Sequence, residues 1–100
     1  MQLQIQSTRF EADDKLMALV TKKFHKLEKL YDRIEKCSVT LKHEKNDRNK
    51  GAIVEVRLAV PGDDIFASER AESFEKAIDP LLGDLKRQLS RRKEKFLEHR

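Results

Sequence analysis

Residues 37–70 read CSVTLKHEKNDRNKGAIVEVRLAVPGDDIFASER, and two polar, glycine-bearing breaks divide the stretch into three short runs. In the first run Cys37, Val39, Leu41 and His43 share one side, and Ser38, Thr40 and Lys42 the other. The second run turns Val54, Val56, Leu58 and Val60 one way, and the third does the same with Ile65 and Ala67. A period of two marks strands with one face buried and one wet. The break NDRNKG reads as a hairpin connection with Gly51 at positive φ, and PGDD as the next turn. Three strands of this kind need a second layer over their apolar face.

The flanking sequence supplies it. Upstream, residues 2–8 alternate Leu3 and Ile5 against Gln2, Gln4 and Gln6, which adds a fourth strand. Between that strand and Cys37, the segment EADDKLMALVTKKFHKLEKLYDRI (residues 11–34) places Leu16, Val20, Phe24, Leu27, Tyr31 and Ile34 at steps of three or four. The spacing predicts a helix through Ile34, capped by Asp13 or Asp14. Downstream, Phe74, Ile78, Leu81, Leu85 and Leu89 predict a second helix from about Ser73 to near the end. Pro80 interrupts it. A proline there removes an amide donor, so the helix either bends or restarts with Asp79 as a cap, and a single bent element is expected. The order β-α-β-β-β-α predicts an α+β fold: a two-layer sandwich, with a four-stranded sheet and two helices on one face.

One hundred residues suffice for one core and not for two, so residues 1–100 are expected to form a single domain. No run approaches the roughly 20 apolar residues of a membrane span, and the alternating N-terminus lacks the features of a signal peptide. A lone cysteine, Cys37, fits a reducing compartment, which makes the cytoplasm the expected location.

The formal charge is +4, and its distribution carries more than its size. Residues 85–100 hold seven bases and two acids, and residues 15–33 hold six and two. Residues 35–84 hold eight bases and eleven acids. On the first helix Lys15, Lys22, Lys26, Lys29 and Arg33 project within roughly 60° of one another. A helix built for solubility alone mixes signs at i,i+4, whereas segregated bases repel until a partner relieves them. On the second helix Lys86, Arg87, Arg91, Arg92, Lys93, Lys95 and Arg100 surround the axis. The helix dipole favours cations in the last turn alone, which leaves Arg87 unaccounted for. Two such surfaces on neighbouring helices are expected to line one groove, the electrostatic footprint of a nucleic-acid binder.

Other chemistry finds no foothold. His25 and His99 fall on the two helices, and Cys37 and His43 lie six residues apart on one strand, without metal-ligand spacing. Asp13/Asp14 and Asp63/Asp64 sit at a helix start and a turn, where capping explains them, and three glycines leave no phosphate-cradling loop. No catalytic residue, cofactor, metal or small-molecule substrate is expected. Without tryptophan, and with one tyrosine, there is no base-stacking platform, so contact with backbone and shape, suiting structured RNA, is the expected mode.

The segments VTKKFHKLEKLYDRI, VTLKHEK and AIDPLLGDLKRQLSRRKEK, in this order, resemble the ribosome hibernation-promoting factor and ribosome-associated inhibitor family. The resemblance covers essentially the whole chain. It implies a fold akin to the double-stranded-RNA-binding domain. It also implies docking in the small ribosomal subunit, on ribosomal RNA, in the channel for messenger RNA and the anticodon ends of transfer RNA. Ribosomes would thereby be held inactive and preserved during stress or stationary phase. The RNA-facing positions it implies are Lys22, Lys23, Lys26 and Lys29 on the first helix, and Arg87, Arg91, Arg92, Lys93 and Lys95 on the second. Lys42 and Lys45 lie around the second strand, and Lys86 adds charge without a family counterpart. Pro80 departs from the unbroken helix of the family. The chain stops soon after the basic cluster, so the short form is expected, with no C-terminal dimerisation domain and ribosome dimerisation left to a separate factor. A generic double-stranded-RNA-binding module and a domain whose bases meet acidic proteins are the competing readings.

Overall fold

The computed structural model describes residues 1–47 and 49–98, with no account of side chains beyond Lys95. His99 and Arg100 therefore lie outside the described residues. The elements are β1 (Gln2–Thr8), α1 (Asp14–His25), α2 (Leu27–Leu30), β2 (Lys36–His43), β3 (Ala52–Ala59), β4 (Ile65–Ala71) and α3 (Phe74–Glu98). The sheet order is β1-β2-β3-β4. β1 and β2 are parallel, with Ile5 beside Val39, and the other two pairings are antiparallel, with Val39 beside Val56 and Val56 beside Ala67. A parallel pair needs a crossover and an antiparallel pair needs a hairpin, which is why α1 separates β1 from β2 and short turns join the rest.

One core follows from this order. Cys37, Val39, Leu41, Val54, Val56, Leu58, Ile65 and Ala67, all of one parity on their strands, are buried with Leu16, Val20 and Phe24 of α1 and Ile78, Leu81, Leu85 and Leu89 of α3. Both long helices therefore cover the same sheet face, as expected. The other face carries Gln4, Thr40, Glu55 and Arg57, and Lys42 pairs there with Glu55 at 2.8 Å.

Four local expectations are refined or replaced. Asp13 is the cap of α1, its Oδ1 accepting the Leu16 amide at 2.8 Å. The first helix does not reach Ile34. It ends at His25, a single turn follows at Leu27–Leu30, and Tyr31 is extended, with φ −152° and ψ 108°. The chain must turn back to feed β2, yet Tyr31 and Ile34 stay buried, so the periodic stripe marks burial beyond the helix that began it. Gly51 is not at positive φ; Gly62 is the glycine in that region among the described residues, at 88°. What requires glycine at 51 is close backbone approach, because a Cβ there would sit 2.4 Å from the Asp47 carbonyl oxygen and 2.6 Å from that of Glu44.

Pro80 lies inside one continuous α3, so the helix does not restart there. Lys76, whose carbonyl loses the amide partner, and Pro80 are both exposed, and water can satisfy that oxygen. The Ser73 hydroxyl accepts the Lys76 amide at 3.2 Å and starts the helix.

Candidate nucleic-acid interface

α1 and α3 lie side by side on the sheet, and the seam between them is where bases from the two helices meet. Lys23, Lys26 and Leu27 from the first side, and Asp79, Leu82, Gly83 and Lys86 from α3, line a cleft of about 260 Å³. Leu27 and Leu82 are buried and close its floor. Lys23 Nζ lies 3.1 Å from Asp79 Oδ1, an ion pair that ties the helices together across the cleft. Three bases and one acid leave the cleft electropositive. Lys22, a helical turn before Lys26, and Lys29 on α2 are exposed.

The remaining bases of α3 divide. Arg91, Arg92 and Lys95, with Gln88 and Ile65, line a second hollow of about 240 Å³ beside β4. The expectation of a single groove thus holds for Lys23, Lys26 and Lys86 but not for Arg91, Arg92 and Lys95. The reason is helical geometry: Arg91 and Lys95 project about 140° and 180° away from Lys86 around the axis. Lys93 returns to within about 20° of Lys86, and Arg87 points about 100° from it, toward solvent. Arg87 Nη2 stands 3.8 Å from Asp84 Oδ1, a loose exposed pair. Lys42 and Lys45 belong to neither hollow, Lys42 being on the opposite sheet face and Lys45 in the β2–β3 hairpin.

Among the described side chains Leu89 is the last core residue of α3, and Arg92 continues its line. Instead of meeting solvent alone, the Arg92 guanidinium donates to the Pro61 carbonyl at 2.8 Å and clasps the β3–β4 turn. Gly62 fits that contact, since a Cβ there would lie 3.3 Å from Arg92 Nη1. Gln88 donates to the Phe66 carbonyl at 3.2 Å. These ties need tertiary knowledge that local pattern does not hold. Gly83 could have been noticed: it sits in mid-helix, and nothing lies within 4 Å of where its Cβ would be. Gly83→Ala should therefore stabilise the fold by about 0.5–1 kcal/mol, the helix cost of glycine. Thermal melting would read this as a rise of a few degrees, at about 4–8 °C per kcal/mol.

The groups set aside as non-catalytic have structural places. Cys37 is fully buried, and burial pushes its thiol up to about 12, away from nucleophilic character. His43 ends β2 and completes an aromatic trio with Phe10 and Phe74, whose rings stack at 5.2 Å. His25 is exposed on α1, its Nδ1 3.6 Å from Glu28. Among the described residues no group of three or more His, Cys, Asp or Glu could hold a metal ion. No described helix is long and apolar enough to cross a membrane.

The chain is similar to known proteins along nearly its whole length. The ribosome hibernation promoting factor of Escherichia coli (strain K12) is 39% identical over 99 residues, covering 99% of this chain and 100% of that protein. The Pseudomonas putida protein of the same name is 34% identical over 95 residues, covering 95% of this chain and 89% of that one. Among solved structures, a ribosomal subunit interface protein from Coxiella burnetii superposes with a TM-score of 0.82 at 26% identity, over 94% of this chain and 99% of that one. The N-terminal domain of Thermus thermophilus Protein Y shares the fold, with a TM-score of 0.77 at 24% identity, over 91% of this chain and 98% of that one. The family described as sigma 54 modulation protein / S30EA ribosomal protein matches residues 3–96. By that match and by relatives aligned along nearly its whole length, the chain belongs to this family, which its relatives share under the name ribosome hibernation promoting factor.

Proposed function

We propose that this chain is a cytoplasmic ribosome hibernation factor that seats its basic helices in the decoding channel of the small subunit. There it occupies the path of messenger RNA and the anticodon ends of transfer RNA, holding ribosomes inactive and preserving them under stress and in stationary phase. The family is non-enzymatic, and the reading needs no catalysis. The observation that carries it is the cleft in which Lys23 and Lys26 face Lys86 from the neighbouring helix. Flexible cations around an open cleft grip sugar-phosphate backbone without reading bases. The ten bases assigned to RNA contact are Lys22, Lys23, Lys26, Lys29, Lys86, Arg87, Arg91, Arg92, Lys93 and Lys95. Phe66, the exposed large aromatic side chain among the described residues, lies on the far sheet face, which agrees with backbone rather than base contact. Residues 1–100 act in this reading as one ribosome-binding domain.

Sucrose-gradient co-sedimentation with small subunits, repeated across potassium chloride concentrations, tests this. With about six phosphates neutralised, log K should fall against log salt with a slope near −4 to −5. An isolated RNA duplex should bind more weakly than the assembled subunit. Equal affinity for both would favour a generic double-stranded-RNA binder, and a flat salt response would remove the proposal.

A further inference from the structure

Two hollows lie on opposite flanks of α3, and no base lines both. Lys23, Lys26 and Lys86 line the α1 side, and Arg91, Arg92 and Lys95 the β4 side. About 10–12 Å of helix separates them. The crest between is not a bridge of charge. Arg87 there has Asp84 at 3.8 Å, and Glu94 projects about 20° from it around the axis. A backbone strand leaving one flank for the other would cross this mixed-charge crest. The second hollow is also fixed in shape, because Arg92 is held by the Pro61 carbonyl and Gln88 by that of Phe66. Past Leu89, Arg91, Lys93, Glu94 and Lys95 are exposed around the helix.

We propose that α3 acts as a ridge set between two separate phosphodiester segments of structured RNA, one bound in the α1–α3 cleft and one in the α3–β4 hollow. The proposal rests on the RNA-binding reading above and replaces its single trough with two grips. Binding then selects places where two backbone segments converge to about the width of a helix, a geometry that one straight strand does not offer.

Directed hydroxyl-radical cleavage tests it on the full chain bound to small ribosomal subunits. An iron chelate is attached to the Ser90→Cys protein, on the cleft flank one turn beyond Lys86, or to the Asp64→Cys protein, beside Ile65 of the second hollow. The native thiol of Cys37 is fully buried and stays unlabelled. Two non-overlapping sets of ribosomal RNA cuts are expected. At protein concentrations raised to keep the subunits saturated, adding Arg91→Gln and Lys95→Gln to the Asp64→Cys protein should cause loss of its set, while the same pair added to the Ser90→Cys protein leaves that set in place. Coincident sets, cuts from one position alone, or no cuts from bound protein would overturn the two-sided ridge and leave ribosome binding standing. Failure of the unlabelled wild-type chain to co-sediment would instead overturn the RNA-binding reading itself.

Discussion

Changing Lys22, Lys26 and Arg91 together to glutamine is expected to lower affinity for small ribosomal subunits by about 100-fold at about 0.1 M salt. Each neutralised phosphate contributes about 0.7 to the salt exponent on single strands, so three lost contacts remove about two decades and flatten the slope by about 2. All three side chains are exposed and none joins the core, so the melting temperature should stay nearly constant. Relief of like-charge repulsion along the α1 stripe pushes in the stabilising direction if it moves anything. Titration by co-sedimentation at several salt concentrations, with a thermal melt of the same samples, separates lost contacts from lost fold. Affinity within threefold of wild type would mean that these bases meet something other than ribosomal RNA, an acidic protein being the natural rival.

Phe24→Ala should act on the other axis, stability. Phe24 is fully buried where α1 meets the sheet, among the largest side chains of the core. Removing its ring forfeits the transfer free energy and leaves a cavity, together about 3–5 kcal/mol. A domain of this size holds about 5–15 kcal/mol in all, and each kcal/mol moves the midpoint by about 4–8 °C. A fall of at least about 12 °C is therefore expected in a thermal melt, with a matching loss in denaturant titration. Lys23→Ala, one position earlier, breaks an exposed ion pair worth at most about 1 kcal/mol. A Phe24→Ala protein that melts within a few degrees of wild type would contradict the core described here.

These two substitutions also mark how far local sequence can be read. Phe24, Val39 and Leu85 announce their burial by periodicity, because one side of a helix or strand must be apolar wherever it meets a core. The sheet, both helices and their shared face follow from such positions. Tyr31 shows the limit: its spacing continues a helical stripe, but the return of the chain to β2 takes precedence, and the same burial is reached in extended conformation. Gly51 shows a second limit, since a glycine in a loop does not say whether dihedral freedom or close approach requires it. At the interface, the clustering of bases was legible as composition. Their division between two flanks depends on where α3 leaves the core after Leu89, and on Arg92 finding the Pro61 carbonyl, neither of which a local window contains.

The deep burial of Cys37 has a chemical consequence. Burial pushes its thiol up to about 12, so the sulfur stays protonated at neutral pH. Peroxides and disulfide-exchanging reagents attack the anion, so oxidants have almost nothing to react with at this position. The Cys37 thiol is therefore a packing group of the core and not a redox switch.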